Sequence, residues 1–318
     1  MTPRRVALAV LWLAVVAAEL GAVALMLSYG APDTMLLDLL VAVSAITAGV
    51  VALDQRPGNR VGWLMVAMAF SWVPPPYVVW DVPLITVPAL LVNALFFAFA
   101  AHLVLAYPSG RLQTTFERVL VAVIYASYLW QQLAVMAVFS PRDWGCPECD
   151  WQPALWPSAS AYERLQVVGD VQTVVLAPLF VAAVLLRLRR SSRLERRELV
   201  PLWVGAVLLA VIEVLGVWGD GSWDGVWGVL MQVRYLLIAL LPLVFLKGLL
   251  TARTAQSAVG ALVLRLRDGV PPGRLAPLLA EPGRSVAARP LRHRLGSVGL
   301  RGRRTVADLP SLEDRTTP

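Results

Sequence analysis

The sequence predicts an all-α membrane protein, a polytopic bundle of about eight transmembrane helices with both ends in the cytoplasm. Of the 318 residues, 58% are hydrophobic and 15% are charged, whereas about 25% are charged in a soluble domain. The mean hydropathy is +0.66. Apolar runs close to the roughly 20 residues that cross a hydrocarbon core as helix recur along the chain. This composition excludes an ordinary soluble globule.

Eight apolar runs are the candidate spans. They cover residues 6–28, 35–53, 61–79, 84–107, 119–139, 165–186, 200–218 and 226–250. The third contains Pro74, Pro75 and Pro76, which remove three consecutive backbone donors and cannot lie within an unbroken helix. The alternative is six spans with a re-entrant hairpin over residues 61–107, and it leaves every other loop on the same side.

The distribution of arginine predicts the orientation. Two arginines, Arg142 and Arg164, fall in the loops opposite the N-terminus. Twelve fall in segments on the N-terminal side, namely Arg4, Arg5, Arg56, Arg60, Arg111, Arg118, Arg187, Arg189, Arg190, Arg193, Arg196 and Arg197. Because positive residues stay in the cytoplasm, this bias predicts an N-in, C-in protein of the plasma membrane. The same bias also accounts for the net charge of +7. The predicted partner is therefore membrane lipid and not nucleic acid.

Ionisable residues inside the spans are the first functional candidates, because a charge in hydrocarbon is costly. Five such candidates are Glu19, Asp38, His102, Glu213 and Arg234. Glu213 and Arg234 lie at similar distances from the outer ends of consecutive spans, which predicts a salt bridge; a pair that only sets helix register is the alternative. His102 has no companion ligands nearby. The sequence therefore predicts no metal site and no cofactor.

The longest outer loop carries Cys146 and Cys149 as Cys-Pro-Glu-Cys. Zinc requires four ligands, and no histidine is near enough to complete a set. Outside the membrane a local disulfide is chemically allowed. The two interpretations are a redox-sensing pair and a small structural clip.

The turn between the second and third runs has a patterned sequence. It reads Arg56-Pro57-Gly58-Asn59-Arg60-Val61-Gly62-Trp63-Leu64. Pro57 favours the turn, Asn59 is a helix-capping residue, Gly62 permits close helix contact and Trp63 suits the headgroup interface.

A second turn follows the fourth run, and it reads Tyr107-Pro108-Ser109-Gly110-Arg111-Leu112. Pro108 ends the span and Arg111 marks the inner side. Together the two turns resemble the multi-span N-terminal sensor region of actinobacterial two-component histidine kinases. That region often has an Arg-Pro-x-Asn-Pro-Ile-Gly-Trp-Leu turn followed by a Phe-Pro-x-Gly-Arg-Leu turn. Here Arg60 and Val61 replace the family's proline and isoleucine.

A third segment extends the resemblance to about residues 1–280. Residues 195–199, Glu-Arg-Arg-Glu-Leu, are similar to the family's Glu-Arg-x-Gln-Leu stretch, with Glu198 in place of the glutamine. The resemblance implies that the chain is the membrane input module of a sensor kinase, and the sequence itself names no ligand.

The C-terminal part predicts two further segments after the transmembrane domain of residues 1–250. Residues 251–280 form a cytoplasmic signalling helix and linker. Within them Ala255, Val259, Leu262 and Leu266 repeat with 4-3-4 spacing, a short parallel coiled-coil seam that predicts a homodimer through residues 251–267. Residues 281–318 contain no aromatic residue and are predicted to be a disordered tail rich in Arg, Pro and Gly.

No kinase core is recognisable in the chain. The resemblance calls for an acceptor histidine with an acidic neighbour and for glycine-rich ATP-site loops, but His293 stands between Arg292 and Arg294. We therefore expect no catalytic residues, and a chain truncated before the core. The tail is either a frame-shifted product or a natural basic segment bound to anionic lipid. A small transporter or channel and a stand-alone membrane protein remain the alternatives.

The orientation can be tested by labelling single cysteines with an impermeant maleimide in intact cells. We expect Cys146, after reduction, to react and a cysteine placed in residues 187–197 to stay unlabelled. The opposite labelling pattern would contradict the N-in, C-in topology.

Overall fold

A computed structural model describes residues 2–28, 35–73, 83–140, 154–219 and 225–267. Within these, side chains are described except at residues 35, 83, 85, 86, 193–195, 197, 198 and 249–267. The described residues form helices and turns, with no strand among them. The helices are α1 (Pro3–Ser28), α2 (Met35–Gln55), α3 (Arg60–Trp72), α4 (Pro83–Ala94), α5 (Phe96–Ala106), α6 (Thr115–Val138), α7 (Ala159–Arg190), α8 (Arg193–Gly216) and α9 (Gly225–Arg267).

Seven helical segments in the described part of the chain are long and apolar enough to cross a membrane. They are Pro3–Ser28, Leu36–Gln55, Val87–Ala106, Thr115–Val138, Ala159–Arg190, Leu199–Gly216 and Gly225–Gly248. The chain is therefore an all-helical, multi-pass membrane protein. By internal contacts it divides into two units, Met1–Thr251 and Ala252–Pro318; the structure below is that of the first.

The third and fourth predicted spans differ from the helices observed. In place of the run 61–79, α3 has 13 residues, and at 1.5 Å per residue it is about 20 Å long, too short to cross alone. The three prolines lie outside the described residues. The fourth run contains one segment long enough to cross, Val87–Ala106, but it is interrupted at Leu95, where the backbone N–H bonds to the Val92 carbonyl at 3.1 Å in a 3₁₀-type turn.

Small residues bring α2 and α3 into close contact. A Cβ atom added at Gly62 would lie 2.8 Å from Cγ of Leu53, and one at Gly49 would lie 2.9 Å from Cγ2 of Val66. Backbones approach this closely only where no side chain intervenes. The sequence-based expectation that Gly62 permits close helix contact is confirmed.

The remaining helices pack on one another around buried apolar side chains. Helix α1 packs on α2, α3 on α5, α6 on α7, and α7 on α8. A hydrogen bond of 2.9 Å from the Trp12 indole to the Thr47 hydroxyl joins α1 to α2. Ile46, Met65 and Leu103 are fully buried between the helices. Within the membrane such packing, rather than hydrophobic expulsion from water, holds helices together.

Contacts between distant turns group one set of helix ends together. Arg5 bonds to Asp54 at 3.1 Å, which joins the start of α1 to the end of α2. The Asn59 amide donates to the Pro108 carbonyl at 3.1 Å, and the Tyr107 hydroxyl donates to the Phe245 carbonyl at 3.5 Å. We call this the arginine-rich end, and the opposite end, where α6 meets the start of α7, the far end.

Replacement of Gly62 by alanine tests the close packing of α2 and α3. The new methyl would overlap Leu53, so we expect a loss of about 1–3 kcal/mol, the usual cost of overpacking. The measurement is thermal unfolding of the purified chain in detergent.

Gly205→Ala is the matched control for Gly62→Ala. Its Cβ would meet Leu241 at an ordinary 3.8 Å, so the midpoint should stay close to that of the wild type. An equal fall in both variants would contradict a specific contact at Gly62.

Candidate functional site

A polar cavity of about 580 Å³ lies inside the bundle. Helices α1 to α6 and α9 contribute its walls. Its polar lining residues are Glu19, Asp38, Asn93, Gln131, Gln132 and Arg234, and its aromatic ones are Trp72, Phe96, Phe97, Tyr128 and Tyr235. The volume is in the range of small-molecule sites. We refer to it as the polar cavity.

The polar cavity lies in the half of the bundle nearer the far end. Its walls come from the second halves of α1 and α6 and from the first parts of α2 and α9. The Asn93 amide donates to the Ser71 carbonyl at 3.0 Å, so the end of α3 lies level with the end of α4. Three of the five ionisable candidates from the sequence, Glu19, Asp38 and Arg234, line this one space.

Glu19 is the most deeply buried of these charged residues. Leu8, Val15, Glu19 and Ala22 are the buried residues of α1, and their spacing of seven, four and three places them on one helix face. The Glu19 side chain is therefore turned into the bundle, with 3% of its surface exposed. Its Oε2 atom has no hydrogen-bond partner among the described residues.

Asp38 lies in the first turn of α2, where the helix dipole favours a carboxylate. The side chain of Trp72 is hydrogen-bonded to it, and it lies within electrostatic range of Arg234. Asp38 in turn acts electrostatically on Glu19. The first two spans thus place two carboxylates at one cavity.

The ion pair predicted between Glu213 and Arg234 is confirmed. Arg234 Nε lies 2.5 Å from Glu213 Oε1, and the two side chains are 21% and 25% exposed. The Arg234 guanidinium also lies 5.4 Å from the centre of the Phe97 ring and 6.0 Å from that of Tyr235. These distances are typical of cation–π contacts.

Aromatic rings form one wall of the polar cavity. The ring centre of Trp72 is 4.6 Å from that of Phe96 and 5.7 Å from that of Tyr235. Phe97 and Tyr128 stack at 6.2 Å, and these two residues also line a smaller apolar cavity of about 90 Å³ among α5 to α9. The cavity therefore combines carboxylates with flat apolar surfaces.

Amide side chains in this site were missed by reasoning from ionisable residues alone. Gln131 donates to the Leu165 carbonyl at 2.6 Å, while its Oε1 atom is buried with no partner in the part of the chain that is described. Asn93 and Gln132 complete the set. The sequence did carry a signal for these residues, because an uncharged amide inside an apolar run is also unfavourable in hydrocarbon.

His102 lies apart from the polar cavity. Its Nδ1 atom is 3.4 Å from the Tyr125 hydroxyl, and the two rings meet edge to face with their centres 6.0 Å apart. Among the described residues, no group of three or more His, Cys, Asp or Glu side chains is arranged to hold a metal ion.

The two patterned turns meet at the arginine-rich end. Asn59 caps α3 by accepting from the Val61 backbone at 3.0 Å, which confirms its predicted role, and its amide binds the second turn at Pro108. Gly110 has a φ of +73°, and a Cβ atom there would overlap Asn59 Oδ1. The two turns therefore need both an asparagine and a glycine where they touch.

The other turn residues lie mostly at the surface. Trp63 is 57% exposed, as suits an interface residue. Pro57 and Arg111 are exposed, and Arg56 is half-buried. Their roles as family-like residues stay a prediction.

Arg187 is a structural residue that the sequence did not distinguish from its neighbours. It is 5% exposed, and it donates to the carbonyls of Leu105 and Tyr107, the latter at 2.7 Å. It also lies 3.7 Å from Glu117, which is equally buried. Glu117 forms a capping box with Thr114. The Thr-x-x-Glu spacing was a readable signal for Glu117; no such signal marks Arg187 among the arginines that follow it.

Several predicted residues lie outside the described part of the chain. They are Cys146, Cys149, His293 and the segment 281–318. The backbone of residues 251–267 is helical, while the side chains of the predicted seam are not described. These predictions stay open.

Comparisons with known proteins do not identify a relative. No protein-family model, curated protein or solved structure matches this chain. We therefore base its function on its own residues and on the resemblance of its turns.

The pair of Glu213 and Arg234 can be tested by a double-mutant cycle. Glu213→Gln or Arg234→Gln alone leaves one charge without its partner in the membrane, and each should destabilise the chain by a few kcal/mol. The double variant should lose less than the sum of the two. Additive losses in detergent unfolding would show that the pair is not coupled.

Proposed function

We propose that this chain is the membrane-embedded input module of a two-component sensor histidine kinase. It lies in the plasma membrane, with the start of the first helix and the end of the last helix in the cytoplasm. The proposal is supported chiefly by one observation. Two turns that resemble that family, 49 residues apart in sequence, bind each other through Asn59 and Pro108.

The crossing pattern is compatible with eight passages. Helix α3 starts beside Pro108, and its end at Ser71 lies level with Asn93. We propose that α3 belongs to the third of these passages. The arginine-rich end is cytoplasmic in this arrangement.

The paired turns connect the polar cavity to the cytoplasmic end. Trp72 lies at the end of α3 and Phe96 at the start of α5, and both line the cavity. The opposite ends of these helices are joined through Asn59 and Pro108. A ligand that moves α3 relative to α5 would therefore strain the junction on the other side of the membrane.

Helix α9 supplies the output. Arg234 and Tyr235 line the cavity, and the carbonyl of Phe245 accepts from Tyr107 beside the second turn. The helix has 43 residues, about twice the number that crosses a bilayer. Its second half carries the predicted seam through Leu262, which we propose forms a parallel homodimer.

A kinase chimera tests this function. Residues 1–267 are joined to the catalytic core of a histidine kinase, with zero to seven residues inserted at the joint. We expect autophosphorylation in membrane vesicles to rise and fall with the number of inserted residues, following the helical repeat. The reason is that each insertion rotates the catalytic core relative to the output helix. Activity that is flat across the insertions and equal to that of the isolated core would contradict the proposal.

Dimer geometry is checked in the full chain, with Cys146 and Cys149 replaced by serine. Leu262→Cys lies in the predicted seam and should cross-link between two copies under oxidation. Ser257→Cys, opposite the seam in the heptad, is the matched control and should not. Equal cross-linking at both positions would argue against the coiled coil.

A small transporter is the second candidate. Its support is the convergence of polar residues inside the bundle beside the helix break at Leu95, since broken helices often border transport sites. Saturable uptake of a cation by proteoliposomes of the purified chain would favour this function. Uptake no faster than in empty liposomes would favour the sensor.

A further inference from the structure

We propose that the polar cavity binds a small organic cation that carries N–H groups on an apolar body, such as a primary or secondary ammonium. Glu19 and Asp38 supply the negative charge, and the rings of Trp72, Phe96 and Tyr235 cover the apolar part. The inference concerns binding alone, so it holds for a sensor or a transporter.

The balance of charges favours a cation. Arg234 is the positive side chain of the described lining, and at 2.5 Å it is paired with Glu213. This arginine, already paired, does not balance the negative charges of both Glu19 and Asp38. A positively charged ligand would correct this imbalance in a region of low dielectric constant.

Two buried acceptor atoms call for a ligand with donors. Glu19 Oε2 and Gln131 Oε1 both lack hydrogen-bond partners within the described residues, and both residues line the cavity. A buried acceptor without a donor costs about 1–3 kcal/mol. An N–H-bearing ligand offers what both atoms need, whereas a neutral hydrocarbon or an anion does not.

The aromatic wall is suited to the body of such a cation. The ring centre of Trp72 lies 4.6 Å from that of Phe96 and 5.7 Å from that of Tyr235. The face of such a ring attracts a cation placed within about 6 Å of the ring centre. The neighbouring guanidinium of Arg234, 5.4 Å from the Phe97 ring, already uses the same contact.

A bare metal ion fits the site less well. Hard cations take six or more oxygen ligands at short distance, and the described residues provide no cluster of three metal-binding side chains. The volume of about 580 Å³ is also that of a small-molecule site. Size and chemistry thus agree on an organic ligand.

The test is calorimetric titration of the full chain in nanodiscs of zwitterionic lipid, with empty nanodiscs as the blank. The probe is 2-phenylethylammonium, and 2-phenylethanol is the neutral analogue of similar size. We expect saturable binding of the ammonium with one site per chain, and binding of the alcohol at least about tenfold weaker. Equal affinities, or no saturable binding of the ammonium, would overturn the proposal.

Variants then locate the site. Glu19→Gln and Asp38→Asn keep side-chain shape and should each weaken binding by about tenfold or more. Asp170→Asn is the matched control, because Asp170 is exposed on α7 beside Gly169, which lies against Gln131. Unchanged binding in both cavity variants, or an equal loss in the control, would contradict the assignment.

Discussion

Arg187 provides the interaction on which the arginine-rich half of the bundle depends. Its guanidinium reaches the carbonyls of Leu105 and Tyr107 at the end of α5. Carbonyls in the last turn of a helix lack the N–H groups that a following turn would supply, and the helix dipole makes them attractive to a cation. Glu117, 3.7 Å away at the start of α6, offsets the charge. One side chain of α7 thereby joins the ends of two other helices away from water.

The turns around this arginine also have to satisfy backbone donors and acceptors. Asn59 satisfies a backbone donor of α3 and a carbonyl of the second turn at once. Gly110 adopts a positive φ directly against it, a conformation and a clearance that only glycine combines. A polar junction inside a membrane protein is stable only if its groups are satisfied together. Of the turn residues that resemble a kinase input region, Asn59, Gly62 and Gly110 therefore have a structural use in this chain.

The far half of the bundle is built differently. There Glu19 and Gln131 present buried acceptor atoms that the described residues do not satisfy. Aromatic rings and an arginine with its own partner surround them. The four buried side-chain atoms that lack a partner among the described residues divide by type: the two acceptors, on Glu19 and Gln131, line the polar cavity, whereas the two donors, on Arg56 and Trp203, do not. This contrast is the physical basis for placing recognition in the polar cavity.

The hydropathy pattern determined much of the architecture. Apolar runs of bilayer length predicted the helical class and the approximate positions of the spans, since no other backbone structure except a closed barrel is tolerated in hydrocarbon. It did not predict that α3 ends at Trp72 or that the fourth run is interrupted at Leu95. Hydropathy measures apolar content, whereas the ends of α3 and the break at Leu95 depend on individual backbone hydrogen bonds.

What the sequence by itself determined was therefore the local content: helices, caps such as Asn59, and the charge bias between the two sides. The similar depths of Glu213 and Arg234 also followed from it, because distance along a helix converts directly to depth. Only the tertiary structure decided that Arg187 is buried while its neighbours are exposed, and that Glu19, Asp38 and Gln131 share a cavity. These facts depend on which faces of distant helices meet, and the helical repeat of a single span does not specify its partner.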